Sequence, residues 1–458
     1  MSLELKQQMI FNSFNFIFLF LPTFLLSYFI AGDNFKNVII FLYSILYYVF
    51  GNINNPIYIV ILVGLTIINY LFYYIIFIEN YENKKRVKLA ISILLNVAVI
   101  AIFKAEIIFR SMPVGLSFYV FHYISILVDT YKKDVGVQKI NFLEFVRYIV
   151  FFPKLLSGPI TRYDYFNKSY SNKDISLDNF IKGMYIFTIG LSLKCILSDN
   201  IYNIINQINV YGYDSISIYT AWVGMISFTM NLYFDFAGYS LMAIGLAKSI
   251  GMSLPDNFNL PFYSKSISEF WRRWHITLGH FFRDYVYIPL GGNCGNKNLP
   301  KQIFNIIVVW ALTGLWHGLK INYILWAMSV CFLIVLEKVF LLKVYNKCEI
   351  IGRLIVILFI PFTFLIFSIE NLNHLKVFIS KLYDISTTEN IRDFVSIYKS
   401  YYKIFIIGLV FMTSVPKMIF TKLLNSRIGM IIITIVLFIL SCYMMSINSA
   451  DIFKYFTF

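Results

Sequence analysis

The chain has 458 residues, of which 59% are hydrophobic and 14% charged, with a mean hydropathy of +0.70. A soluble fold of this length cannot hide that much apolar surface, so composition excludes a soluble enzyme or binding module; recurring runs of about 18 to 25 apolar residues point to an all-α polytopic membrane protein rather than a barrel. The formal net charge of +15 does not indicate nucleic acid, because Lys and Arg sit in short loops between apolar runs, the pattern that sets membrane orientation.

Residues 1–8 are polar and suggest no function. The apolar run after them lacks a small-residue cleavage site and reads as a retained first span. Spans are expected over about 11–31, 35–51, 56–78 and 88–109. Lys84, Lys85, Arg86 and Lys88 mark the loop before the fourth as cytoplasmic, which by alternation puts the N-terminus outside. Pro113 opens the next helix, where its missing N–H costs least. The stretch Phe151–Pro159 (Phe-Phe-Pro-Lys-Leu-Leu-Ser-Gly-Pro) interrupts an apolar run with two prolines and a glycine. Such backbone is tolerated at membrane depth only inside protein or against a wet cavity, so a bent or re-entrant element beside a central site is expected.

A helix is predicted over about 176–198 and a longer one over about 216–250, where Asn231, Asp235 and Gly238 fall on one face. Asp235, set between Phe234 and Phe236, must be paired or face water, and a structural hydrogen bond to a neighbouring helix is the preferred reading. Later helices are expected at about 322–342, 350–370, 401–420 and 428–447, with 371–400 as an extramembrane excursion carrying His374 as a solvated loop histidine. The five cysteines, Cys195, Cys294, Cys331, Cys348 and Cys442, are scattered and read as packing residues without disulfides.

Residues 261–318 differ from the rest of the chain. They hold His275, His280 and His317 and the tryptophans Trp271, Trp274, Trp310 and Trp316, and ionisable groups near membrane depth are functional candidates by default. From Ser268 the spacing predicts one interfacial helix with Trp271, Trp274, His275, Leu278, Phe281, Phe282 and Tyr285 on a wide face and His280 elsewhere. Pro289 and Gly291-Gly292 end it. A helix from about Gln302 then carries Trp310, Thr313, Gly314 and His317 on one face. Gly314 and Gly318 form a Gly-x-x-x-Gly step that lets another backbone approach the turn bearing His317. Desolvation favours a neutral imidazole able to act as general base; a core histidine bridging helices is the alternative, and both stand open. A zinc site is disfavoured because His275 and His317 lack a third ligand at useful spacing. No nucleophile elbow, P-loop or dinucleotide fingerprint is present, and Asp284 reads as the ion-pair partner of Arg283.

At these residues a family resemblance becomes specific. Phe-Trp-Arg-Arg-Trp-His275, Phe-Arg-Asp-Tyr-Val-Tyr-Ile-Pro-Leu-Gly-Gly-Asn293 and Leu-Trp-His-Gly318 resemble signatures of the membrane-bound O-acyltransferase (MBOAT) family, in its bacterial branch of alginate and peptidoglycan O-acetylation subunits and the teichoic-acid D-alanine transfer protein. Phe-Pro-Lys-Leu-Leu-Ser-Gly-Pro159, Tyr-Phe-Asp-Phe-Ala-Gly-Tyr239 and the opening Phe-Asn-Ser-Phe-Asn-Phe-Ile-Phe-Leu-Phe-Leu-Pro22 extend the likeness over nearly the whole chain. The resemblance implies one membrane domain over residues 1–458, a ring of about 10 to 12 transmembrane helices with re-entrant and interfacial helices around a central tunnel, in a bacterial cytoplasmic membrane. It implies His317 as the catalytic histidine, His275 as the second conserved polar position, and Trp271, Trp274, Asn231, Asp235, Trp310 and Thr313 as tunnel-lining candidates.

The implied donor is acetyl-CoA or an acyl-carrier thioester on the cytoplasmic side, with no tightly bound cofactor or metal. The implied partner is an extracytoplasmic SGNH-hydrolase-like transferase. Asp451–Phe458 resembles a terminal aromatic motif whose central residue, Tyr455, would relay the acyl group; an interfacial aromatic anchor is the alternative reading. Leu241 stands where alginate-type members usually have an acid, which favours the D-alanine branch, whereas Pro289–Asn293 points to acetyl transfer. His280 inherits no role. The function expected is transmembrane O-acetylation of a cell-wall or secreted polysaccharide. D-alanyl transfer to teichoic acid is the alternative within the family, and a transporter or flippase without a covalent step the alternative outside it.

Overall fold

The computed structural model describes residues 9–106, 111–132, 139–293, 298–388 and 391–447, and these are helical with no named strand. Nine helices among them are long and apolar enough to cross a membrane by length and composition: Asp33–Gly51, Ile57–Ile78, Glu82–Lys104, Leu177–Tyr211, Leu299–His317, Ile321–Leu341, Glu349–Ser368, Arg392–Phe411 and Arg427–Ile447. Contacts gather the described residues into two compact units, the first drawn from those within 9–191, 239–256 and 445–447, the second from those within 192–238 and 257–444.

The first unit contains α1 (Leu21–Ile30), α2 (Asp33–Gly51), α3 (Ile57–Ile78), α4 (Glu82–Lys104), α5 (Leu116–Lys132), α6 (Phe142–Val150), α7 (Phe152–Leu155), α8 (Tyr163–Ser171) and α9 (Leu177–Ser192). Every residue of α5 from Leu116 to Thr130 is buried, which accounts for apolar residues on every face of the helix. The broken run after α6 is buried throughout, from Phe151 to Thr161. Its backbone groups find partners on neighbouring elements: Ser44 Oγ accepts the Phe152 N–H at 3.2 Å, His122 Nε2 accepts the Thr161 N–H at 3.3 Å, and the Tyr148 hydroxyl donates to the Thr161 carbonyl at 2.7 Å. The expected irregular element is therefore enclosed by protein, the condition for non-helical backbone at such depth. Lys154 ends inside this unit with Nζ 3.6 Å from the centre of the Tyr148 ring and 4.8 Å from that of Phe166, so two aromatic faces replace water around it.

The second unit contains α10 (Asp199–Tyr211), most of α11 (Ile218–Ser249), α12 (Ile267–Arg273), α13 (Ile276–Phe282), α14 (Leu299–His317), α15 (Ile321–Leu336), α16 (Leu342–Lys347), α17 (Glu349–Ser368), α18 (Leu372–Lys381), α19 (Arg392–Phe411), α20 (Val415–Leu423) and most of α21 (Arg427–Ile447). Three expected boundaries change in this unit. The helix expected to end near 198 continues through a π-helical turn, Leu193–Ser198, to Tyr211. The helix expected over 401–420 starts at Arg392 and breaks at Met412–Ser414. The excursion 371–400 holds α18, an amphipathic helix whose Leu375 and Phe378 are buried; His374 is exposed as expected but stands on this helix rather than in a loop. This segment also ties down the start of α11, where Asp393 Oδ2 accepts the Ser217 N–H at 2.7 Å and Thr387 Oγ1 accepts the Ile218 N–H at 3.0 Å. Those two acceptors satisfy donors that any helix N-terminus leaves open.

Candidate active site

The site develops from a break in the passage expected to be one helix. α12 starts with Ser266, whose side chain accepts the Glu269 N–H at 3.1 Å, a standard N-cap. The buried carboxylate of Glu337 reinforces it, taking the Ile267 N–H at 2.6 Å and the Ser268 N–H at 3.2 Å, where the helix dipole favours a negative charge. After Arg273 the chain turns extended at Trp274 and left-handed at His275 (φ 45°, ψ 53°) before α13 begins. A non-glycine residue there is strained, and such strain gathers at functional sites.

The upstream segment Asn257–Asn259 holds the break open. Asn259 N–H donates to Arg273 O and Ile276 N–H to Asn257 O, each at 3.0 Å, and Phe258 bridges Trp274 antiparallel. Periodicity cannot register this partner, since it lies outside the repeating stretch. The expected single face from Trp271 to Tyr285 is thereby corrected to two short helices followed by a π-helical turn, Arg283–Tyr287. Within them Trp274, His275, Leu278, Phe281 and Phe282 are buried, and His280 is exposed as expected. Arg283 and Asp284 pair at 2.7 Å.

His275 is 3% exposed, and this burial lowers its pKa to about 3, so the ring is neutral at physiological pH. Its Nδ1 lies 3.0 Å from Asn257 Oδ1. The edge of the Phe236 ring packs against it at 4.6 Å between centres.

His317 is the last residue of α14, and Gly314 and Gly318 set how closely α15 approaches it. A Cβ at Gly314 would lie 2.8 Å from Ala327 Cβ, and one at Gly318 2.8 Å from the Tyr323 ring. The Gly-x-x-x-Gly step thus admits a helix neighbour, as its spacing predicts. Four aromatic rings surround the imidazole: Trp316 at 4.5 Å, Trp326 at 4.9 Å, Phe367 at 5.1 Å and Tyr323 at 6.3 Å. Trp316 also reaches His275 at 6.4 Å, so one indole touches both histidines.

Trp326 joins the remaining indoles to His317, lying 5.8 Å from Trp271 and 5.9 Å from Trp310, while Trp271 and Trp274 are 6.5 Å apart. Trp271, Trp274, Trp310, His275 and His317 are therefore assembled in one aromatic wall. Thr313 sits one turn before His317, but its hydroxyl donates to Val309 O of its own helix at 2.8 Å. Trp326 and Glu337 belong to the arrangement without having been anticipated. Trp326 is one more aromatic in an apolar helix, and only Glu337 left a trace in the sequence, as an acid within an apolar run.

Asn231 and Asp235 take another direction. Asn231 Nδ2 donates to Ser198 O and Oγ at 3.0 and 2.9 Å. Lys194 Nζ lies 2.8 Å from Asp235 Oδ1 and 2.7 Å from Asp199 Oδ1, with Lys194 and Asp235 each 3% exposed. Asp235 is thus paired, as its position between phenylalanines requires. This face of α11 grips the π-helical turn that carries Lys194 and Ser198, and π-bulges recur at functional positions. The other face meets the break: Tyr233 packs on Trp274 at 5.8 Å and Phe236 on His275. Tyr455 and the rest of 451–458 lie outside the described residues.

A family model described as MBOAT, the membrane-bound O-acyltransferase family, matches residues 65–375. The chain belongs to the membrane-bound O-acyltransferase family. The match takes in α14 with His317 and the Asn257–His275 break. Among MBOAT relatives, the chain is 32% identical over 339 residues to the probable alginate O-acetylase of Pseudomonas syringae, covering 69% of this chain and 64% of that protein. It is 32% identical over 370 residues to the peptidoglycan O-acetyltransferase of Helicobacter pylori, covering 70% and 68%. Identity to the teichoic acid D-alanyltransferase of Bacillus subtilis is 30% over 278 residues, covering 57% and 69%. The matched region spans a little under two thirds of the alginate-type relative's length.

Proposed function

We propose that this MBOAT protein is a membrane O-acyltransferase that moves an acetyl group from a cytoplasmic thioester, acetyl-CoA or a carrier-bound form, toward a hydroxyl of a cell-wall or secreted polysaccharide. The observation that carries this reading is His317: an imidazole on the last turn of α14, 5% exposed, walled by Trp316, Tyr323, Trp326 and Phe367 in the company of His275. In such a water-poor wall an imidazole can take the proton of an accepting hydroxyl. The hydroxyl oxygen attacks the thioester carbonyl, the new C–O bond forms as C–S breaks, and the proton on His317 passes to the departing thiolate. A thioester is activated enough for a base and an oriented nucleophile to suffice. Tyr455 supplies the acceptor hydroxyl in this proposal, and an extracytoplasmic SGNH-hydrolase-like transferase receives the acyl group. The acetyl donor is favoured by the alginate- and peptidoglycan-modifying relatives, which cover more of the chain than the D-alanyl one.

The test uses purified full-length protein with radiolabelled acetyl-CoA. Wild type turns the thioester over, His317→Ala loses about 10²- to 10⁴-fold, and label retained on the chain disappears with Tyr455→Phe. Activity surviving in His317→Ala defeats the base assignment. Inert acetyl-CoA combined with turnover of a carrier-bound D-alanine donor redirects the proposal to D-alanyl transfer, and failure with both leaves a transporter.

A further inference from the structure

The break around His275 contains information about where its proton resides. One atom of the Asn257 amide receives the Thr277 main-chain N–H at 3.3 Å and lies 3.0 Å from Thr277 Oγ1. A main-chain N–H can only donate, so the amide atom facing it is the oxygen and not the NH2 group. That same oxygen stands 3.0 Å from His275 Nδ1. A carbonyl oxygen offers nothing to donate, and Nδ1 must therefore be the protonated nitrogen. The main chain holds the geometry from the other side, since the Asn257 carbonyl takes the Ile276 N–H at 3.0 Å, pinning His275 in its left-handed conformation.

We infer that Asn257 is a positioning residue that locks His275 in its Nδ1–H tautomer, so that Nε2 is the ring's accepting nitrogen and the ring offers the reacting groups no N–H. Asn257 acts at one remove, as outer partners of reactive imidazoles do when they choose the tautomer. A ring so locked is unsuited to donating to the oxyanion of the tetrahedral intermediate, which assigns that task to other groups. Burial acts in the same direction by keeping a second proton off the ring. The inference rests on reading the two histidines as the acyl-transfer site, but the tautomer itself is observable without turnover.

The experiment is nitrogen NMR on full-length protein carrying ¹⁵N-histidine, with the His275→Gln spectrum identifying the His275 signals among the five histidines. The expected result is a protonated Nδ1 and an unprotonated Nε2 in wild type, retained in Asn257→Asp, whose carboxylate also accepts, and lost in Asn257→Ala. An Nε2–H tautomer or an imidazolium in wild type overturns the inference. So does an unchanged tautomer in Asn257→Ala. Should that variant fail to fold, the wild-type and Asn257→Asp spectra still decide. In the turnover assay Asn257→Ala is expected to lower kcat at least about tenfold with KM changing less, and Asn257→Asp to recover part of it. If His317→Ala proves fully active while the tautomer is as expected, the assignment of His317 as base has failed and the lock has not; if neither donor is turned over, the acyltransferase reading has failed and the lock has not.

Discussion

Replacing Gly314 with alanine tests whether the approach of α15 to α14 sets the reactivity of His317. The added Cβ would stand 2.8 Å from Ala327 Cβ and 3.1 Å from Tyr323 O, whereas carbon atoms in good contact are about 3.5 to 4.0 Å apart. α15 must then retreat by roughly 1 Å, because Ala327 Cβ is attached directly to backbone and has no rotamer to yield. Overpacking of this kind costs about 1 to 3 kcal/mol, and alanine's better helix propensity returns about 1 kcal/mol, leaving a net loss of about 0 to 2 kcal/mol. Activity should suffer more than stability. Trp326 rides on α15 and packs on His317 at 4.9 Å, and a displacement of about 1 Å at a reacting centre can cost about 10²-fold. The control is Gly64→Ala on α3, where a Cβ meets nothing within 4 Å and the substitution should be neutral or slightly stabilising. Thioester turnover and thermal unfolding in detergent are measured for both. Wild-type turnover in Gly314→Ala, or an equal fall in Gly64→Ala, refutes the argument.

Other expectations concern the groups that hold the site. Lys194→Met should lower stability by about 3 to 5 kcal/mol, because it leaves the Asp199 and Asp235 carboxylates buried without their cation; adding Asp199→Asn and Asp235→Asn should recover much of the loss in a thermal melt. Glu337→Ala removes the acceptor of the Ile267 and Ser268 N–H groups and should cost about 1 to 3 kcal/mol, with Glu337→Gln milder, since it keeps an oxygen. The pH effect of His275 has a definite sign. Its folded pKa is about 3 against an ordinary 6.5, so between those values the unfolded chain binds the extra proton and stability falls as pH drops from about 6.5 toward 3. Above 6.5 the group contributes no pH dependence. Unfolding curves of His275→Gln across that window should be flatter than wild type, and parallel curves would contradict the buried neutral ring.

Much of the site could be read along the chain. The 3.6-residue period put Trp310, Thr313, Gly314 and His317 on one face, the Gly-x-x-x-Gly spacing announced a close helix neighbour, and the two prolines of Phe151–Pro159 announced enclosed irregular backbone. These are properties of neighbours in sequence, where geometry follows from the helix repeat alone. The aromatic periodicity from Trp271 to Tyr285 looked equally regular, yet the helix breaks at Trp274–His275.

The amino-acid sequence by itself determined the class of protein, the order of its apolar helices and the presence of an imidazole at the end of α14, because each depends on composition or on spacing within one helix. Tertiary structure alone decided which partners meet: Asn257 with His275, Glu337 with the start of α12, Lys194 with Asp235, and Trp326 between Trp271 and His317. Those pairs join segments separated along the chain. Burial forces each polar group to find a partner, but which partner arrives depends on how the helices pack.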